Sequence, residues 1–140
     1  MENHLIIRVR TYFILVLSIY LLPIIGAAID YFFFPDEFEL FSEILYFQPA
    51  VWELVIYIIH CVLYIALLIG LLARKEWGRK LYIYTLFPSY LLYFLPSMLW
   101  FYASGIATFF NDLGILCMGI LFIILCSPQM YTPLFNKNTS

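Results

Sequence analysis

Four side chains that can carry a charge lie inside long apolar runs of this sequence. They are Asp30, Glu53, His60 and Asp112. Carboxylates and imidazole can hold or pass on a proton, and they are rare in apolar segments because an unpaired charge is costly there. Their positions therefore raise the hypothesis of a functional site.

Helical spacing supports a polar pocket. Glu53, Tyr57 and His60 follow one another at steps of four and three residues, which places them on one face of a helix. We expect the pocket to open outward from the membrane, and its predicted lining is Asp30, Glu53, Tyr57, His60, Asn111 and Asp112. In the alternative interpretation these groups form hydrogen bonds between neighbouring helices and hold a bundle together.

Composition identifies the elements that must position these residues. Of 140 residues, 65% are hydrophobic and 11% are charged, whereas soluble domains have about 45–50% and about 25%. A soluble chain of this size could not bury so much apolar surface, because small domains leave a large share of their area in water. The sequence therefore predicts an integral membrane protein.

Apolar runs long enough for four crossings divide the chain. A crossing needs about 20 apolar residues, and the predicted spans cover residues 11–34, 50–73, 80–100 and 106–126. Residues 1–140 are thus predicted to form a single all-α domain, a four-helix transmembrane bundle. Pro88 and Pro96 should bend the third span; such kinks either open a small cavity or leave a bent helix packed against its neighbours.

Basic residues predict the orientation. All seven lie on one side of a four-span chain, and the six near span ends are Arg8, Arg10, Arg74, Lys75, Arg79 and Lys80. Positively charged loops stay in the cytoplasm, so both termini are predicted to be cytoplasmic. Trp52, Trp77 and Trp100 are expected to be interfacial anchors.

The loop after the first span is acidic and patterned. Residues 36–47 combine early carboxylates with apolar residues at helical spacing, which predicts a short amphipathic helix in the outer interface. The alternative is that the first span continues past the lipid headgroups. The first span also has some features of a cleaved leader, but its apolar stretch is longer than the usual 7–15 residues.

Several functions are disfavoured by what the sequence contains. The net charge of −2 does not suit a nucleic-acid binder. Cys61, Cys117 and Cys126 are not arranged as Cys-x-x-Cys, so we expect neither a metal site nor a dithiol redox centre. No cofactor is predicted. No phosphate-binding loop or nucleophile elbow is found, and no catalytic residue is assigned.

The turn between the second and third spans resembles a known group. The stretch from Gly70 to Arg79 reads Gly-Leu-Leu-Ala-Arg-Lys-Glu-Trp-Gly-Arg. It is similar to the Lys-x-Trp-Ala-Arg turn of a broad group of uncharacterised four-span bacterial membrane proteins, with Gly78 in place of the usual alanine. Arg10 and the Tyr-Thr-Pro of residues 131–133 also fit that group. The resemblance implies a helical bundle in a bacterial inner membrane and brings no activity.

These observations favour a non-enzymatic protein that acts through helix contacts with a membrane partner. An accessory subunit and an immunity-type protein are both of this class, and short loops favour recognition within the membrane. A small transporter or channel that uses the region of His60 and Asp112 is the alternative. An intramembrane hydrolase with Asp30 and Asp112 as a carboxylate pair is the second alternative. A homo-oligomer is compatible with each of them.

Overall fold

The computed structural model describes residues 8–33, 49–96 and 103–135, and 91% of this part of the chain is helical, with no strand. The helices are α1 (Val9–Phe33), α2 (Val51–Leu72), α3 (Glu76–Ser89), a 3₁₀ helix (Tyr90–Phe94), α4 (Gly105–Cys126) and α5 (Pro128–Phe135). In an apolar solvent a backbone must satisfy its own polar groups, and helices do so within one segment.

Three of these helices are long and apolar enough to cross a membrane, namely α1, α2 and α4. Their bounds lie close to the predicted spans 11–34, 50–73 and 106–126. The described part of the predicted span 80–100 ends at residue 96. It contains most of α3, which begins before residue 80, and the 3₁₀ helix that follows it, and it is not among these three helices. The predicted interfacial helix over residues 36–47 lies outside the described residues, and α5 was not predicted.

The helices pack in a ring, α1 on α2, α2 on α3, α3 on α4 and α4 back on α1. Tyr12 donates a hydrogen bond to the carbonyl of Leu71 at 2.9 Å, so the start of α1 lies beside the end of α2. Asp30, near the end of α1, meets Ser104, which precedes α4. Both α2 and α4 therefore run opposite to α1 and parallel to each other, on the diagonal of the ring.

All six basic residues of the described chain lie at one end of this bundle, which we call the basic end (Arg8, Arg10, Arg74, Lys75, Arg79 and Lys80). The buried apolar core is concentrated toward the same end. Its members come from all five α-helices: Tyr12, Val16, Ile19, Leu67, Leu71, Tyr82, Leu121, Ile124, Leu125 and Leu134. The helices are thus packed most tightly near the basic end.

Two glycines, Gly70 and Gly78, allow α2 and α3 to pack closely in their hairpin. A Cβ atom built on Gly78 would lie 2.5 Å from the carbonyl carbon of Gly70, and one built on Gly70 would lie 2.7 Å from the Cα of Gly78. Backbone meets backbone here, so neither position has room for a side chain. An alanine at position 78 would require the two helices to move apart.

The turn of this hairpin contains an unusual backbone conformation. Arg74 has a φ of 51°, in the left-handed region that glycine normally occupies at a helix C-terminus. The amide of Lys75 donates to the carbonyl of Gly70 at 2.9 Å, and that of Arg74 to Leu71 at 3.0 Å, the pair of bonds that defines a Schellman motif. The Arg74 side chain also reaches the carbonyl of Leu134 at 3.3 Å, so it joins the turn to the end of α5.

Small residues bring α1 and α4 together. A Cβ on Gly26 would lie 3.0 Å from the carbonyl oxygen of Ala107, and one on Gly114 would lie 3.4 Å from the ring of Pro23. Pro23 lies inside α1 without ending it, and its ring fills the space that Gly114 leaves. This contact holds α1 and α4 as a pair along most of their length.

Candidate functional site

A cavity of about 540 Å³ lies between the four long helical segments. Ligand sites in proteins commonly have volumes of about 300–1,000 Å³, so the space suits a small organic molecule. The lining residues are Ile19, Tyr20, Pro23, Tyr57, His60, Cys61, Tyr64, Leu67, Tyr82, Thr85, Leu86, Ser89, Tyr90, Leu92, Tyr93, Asn111, Gly114, Ile115 and Met118. Leu67 and Tyr82 also belong to the buried core, so the core forms the floor of the cavity.

The change from α3 to the 3₁₀ helix shapes one wall. Pro88 lies in the last turn of α3, and regular helix ends at Ser89. The hydroxyls of Thr85 and Ser89 each donate to the carbonyl four residues earlier, at 2.7 Å, a bond that often accompanies helix bending. Tyr90, Leu92 and Tyr93 of the 3₁₀ helix then line the cavity. The cavity therefore lies beside the point where α3 changes to the 3₁₀ helix.

Three residues of the predicted pocket meet at this cavity. Tyr57 and His60 line it from α2, and Asn111 lines it from α4. The His60 ring packs against Tyr64, with centroids 5.4 Å apart and planes at 35°. The lining thus combines aromatic and hydroxyl-bearing residues with apolar ones.

The predicted carboxylates lie elsewhere. Asp30 is buried, and its carboxylate accepts hydrogen bonds from the amide of Ser104 at 3.0 Å and from the Ser104 hydroxyl. Glu53 is also buried and accepts from the amide of Ala50 at 2.8 Å. Each carboxylate stabilises a helix N-terminus, where exposed amides favour negative charge.

Asp112 was expected in the pocket beside Asn111, but it is exposed on α4 and does not line the cavity. Adjacent helical residues differ by about 100°, so only one of this pair faces inward. Because Asp30 is bound to Ser104 and Asp112 faces outward, these two aspartates do not form the carboxylate pair that a hydrolase needs.

Most polar groups around the cavity are already hydrogen-bonded within the protein. Tyr20 donates to the carbonyl of Tyr64 at 3.4 Å, and Tyr82 donates to that of Met118 at 2.9 Å. Within the described ranges, no hydrogen bond is made by the imidazole of His60 or the carboxamide of Asn111. These two groups can therefore bind a ligand without breaking an internal bond.

Sequence reasoning missed the wall that α3 contributes. Tyr82, Thr85 and Ser89 recur at steps of three and four residues, the same pattern that identified the polar face of α2. The absence of any charged residue in this stretch drew attention away from it. A search for hydroxyl groups at helical spacing would have found this wall.

Arg79, at the basic end of the bundle, makes contacts that stabilise the fold. Arg79 donates to the carbonyl of Leu125 at 2.9 Å, in the last turn of α4, and its guanidinium lies 3.9 Å from the ring centroid of Tyr131. Its Nε atom lies 3.0 Å from both carboxylate oxygens of Glu76. This hydrogen bonding lowers the pKa of Glu76, so its stabilising contribution is present at neutral pH and is lost as the pH falls through that lowered pKa.

The predicted anchors are placed as follows. Trp52 is 53% exposed in the first turn of α2, and Trp77 is 49% exposed at the basic end. They therefore lie near opposite ends of the bundle. Trp100 lies outside the described residues.

Comparisons with known proteins do not identify a function for this chain. No family model, curated protein or solved structure matches the chain.

Proposed function

We propose that this chain is a four-span membrane protein that binds a small, largely apolar molecule in the cavity, in the manner of a small transporter or carrier. The observation that carries the proposal is the cavity of about 540 Å³ between the helices, lined by the unpaired polar groups of His60 and Asn111. This is the alternative from the sequence, without Asp112 as a pocket residue.

The direction of the helices supports a fourth crossing. Since α2 and α4 run parallel, the chain must return from one end of the bundle to the other between them. The α3 segment has 14 residues and the 3₁₀ helix has 5, which together span about 31 Å at their ordinary rises of about 1.5 and 2.0 Å. That length matches a hydrocarbon core of about 30 Å.

The charge distribution supports the proposed orientation. Six basic residues at one end of the bundle favour a cytoplasmic location for that end and for the start of α1. The bacterial inner membrane rests on the resemblance of the Gly70–Arg79 turn. In this orientation, the apolar core lies near the cytoplasmic side of the membrane, and the cavity lies on the outer side of that core.

Filling the cavity tests the proposed function. The double variant Cys61→Trp with Ile115→Trp adds two bulky rings to residues that line it. The matched control, Val62→Trp with Ile123→Trp, places the same rings on residues of the same two helices that lie outside the cavity lining and are 63% and 62% exposed. Native mass spectrometry of protein released from lipid nanodiscs should find a bound small molecule on the wild type and the control, reduced at least about tenfold on the filled variant. Equal occupancy in all three, or none in the wild type, would contradict the proposal.

A second candidate function is contact with a membrane partner, as an accessory subunit or immunity-type protein makes. Ile106, Phe109, Leu113 and Leu116 are exposed along α4 at alternating steps of three and four residues, a spacing typical of helix-helix seams. Asp112 flanks this stripe, and a carboxylate facing lipid favours a basic group on a partner helix. A protein subunit retained in the same spectra and released by Asp112→Asn would favour this function.

A further inference from the structure

The cavity lining contains no ionised group. None of the described residues that line it is Asp, Glu, Lys or Arg. A charged ligand would lose its hydration without gaining a counter-charge, and burial of an unpaired charge is among the costliest steps in protein chemistry. A neutral ligand avoids this cost, so the lining selects an uncharged molecule.

Aromatic side chains form most of the polar wall. Six tyrosines line the cavity (Tyr20, Tyr57, Tyr64, Tyr82, Tyr90 and Tyr93), together with His60. The rings of Tyr90 and Tyr93 are stacked at 26° with centroids 6.2 Å apart, and those of Tyr20 and Tyr64 lie 4.8 Å apart. Ring faces and edges of this kind favour a flat aromatic guest.

The two unpaired polar groups lie on helices that face each other across the ring. His60 belongs to α2 and Asn111 to α4, the diagonal pair of the bundle, and both line the cavity. A neutral imidazole offers one donor and one acceptor, and a carboxamide offers two donors and an acceptor. Because the two groups come from helices on opposite sides of the cavity, we expect a ligand that binds both to present a separate polar atom to each.

We propose that the cavity binds a neutral aromatic ring with oxygen atoms at opposite ends, the chemistry of a para-quinone or its quinol. One oxygen is bound by His60 and the other by Asn111, while the tyrosines pack against the ring. This inference rests on the proposed function, because it names the class of molecule that the same cavity takes. Such a molecule comes either from the bilayer, with an apolar tail, or from water, without one.

The test uses the full chain in phosphatidylcholine nanodiscs and three probes. They are a para-benzoquinone that carries a decyl tail and three methyl groups, tetramethyl-para-benzoquinone without a tail, and decylbenzene, which has the tail and ring but no oxygen. Both quinones are fully substituted, so the free thiol of Cys61 in the cavity lining does not add to their rings. We expect saturable quenching of the protein's emission by the quinones, lost in the Cys61→Trp, Ile115→Trp variant. Probes that do not quench are measured by their displacement of the bound tailed quinone. Preference for the tailed quinone identifies the bilayer as the source, and equal affinity identifies water.

Single substitutions then test the two oxygen contacts. We expect His60→Phe and Asn111→Leu each to weaken quinone binding about fivefold, the effect of one lost hydrogen bond. His60→Gln, which retains a donor and an acceptor, should recover part of the loss, and Asp112→Asn, on the exposed neighbour of Asn111, should bind as the wild type does. Thermal unfolding of each variant separates lost contacts from lost fold.

Different results overturn different claims. If decylbenzene binds as tightly as the tailed quinone and both are lost in the filled variant, the ligand class is wrong and the proposed function stands. If a charged amphiphile such as decylamine binds tighter than the quinones, the ligand class is also wrong. If no probe binds saturably, both the ligand class and the proposed function fail.

Discussion

Gly78→Ala is expected to lower the free energy of unfolding by about 1–3 kcal/mol, the range typical of forcing an extra carbon into a packed interior. The new Cβ would lie 2.5 Å from the carbonyl carbon of Gly70 and 2.8 Å from its oxygen. These are backbone atoms, so no side-chain rotation can relieve the clash. The whole hairpin of α2 and α3 must open, and the cavity wall moves with it.

Gly119→Ala is the matched control, because a Cβ at that position meets nothing within 4 Å. Replacing glycine by alanine inside a helix stabilises it by about 0.5–1 kcal/mol when there is room. Reversible unfolding of both variants in mixed detergent micelles gives the comparison. Equal stability of Gly78→Ala and the wild type would mean that the two helices do not approach at Gly70.

Asp30→Ala should cost about 3 kcal/mol, since it removes two hydrogen bonds to an ionisable group and a negative charge at the start of α4. Asp30 is 5% exposed, and both its oxygens are bound to Ser104. The Ser104 hydroxyl in turn accepts from the amide of Ala107 at 3.1 Å. One carboxylate thus joins the end of α1 to the N-terminal cap of α4.

A double-mutant cycle with Ser104→Ala measures this link directly. If the two residues act together, their effects should fall short of additive by about 1–2 kcal/mol. Asp112→Ala is the control, since Asp112 lies exposed on the same helix, and we expect its stability to remain within about 0.5 kcal/mol of the wild type. Additive effects of Asp30→Ala and Ser104→Ala would contradict the link.

Much of the architecture could be predicted from periodicity and charge. Long apolar runs identified α1, α2 and α4 because a membrane helix must be apolar along its whole length. The clustering of basic residues at one end also follows from the sequence. The short α5 over Pro128–Phe135 could not be predicted, since a segment of eight residues with two prolines is not expected to form a stable helix by itself.

The candidate site could be predicted only in part. The sequence shows which residues share a helix face, but not which other helix that face contacts. Tyr57, His60 and Asn111 line the cavity, whereas Asp30 and Glu53 are bound to helix N-termini and Asp112 faces outward. A carboxylate in an apolar run is equally suited to a site and to a cap. Only the position of the next helix decides between these roles.

We propose that four crossings enclose the cavity within the membrane. In a chain whose three cysteines are replaced by alanine, a single cysteine is introduced at Lys75 or at Ala103, on either side of α3 and the 3₁₀ helix. A membrane-impermeant maleimide should label Lys75→Cys only in inverted vesicles and Ala103→Cys only in intact cells. Labelling of both positions from the same side would mean that this segment does not cross, and would contradict the enclosed cavity.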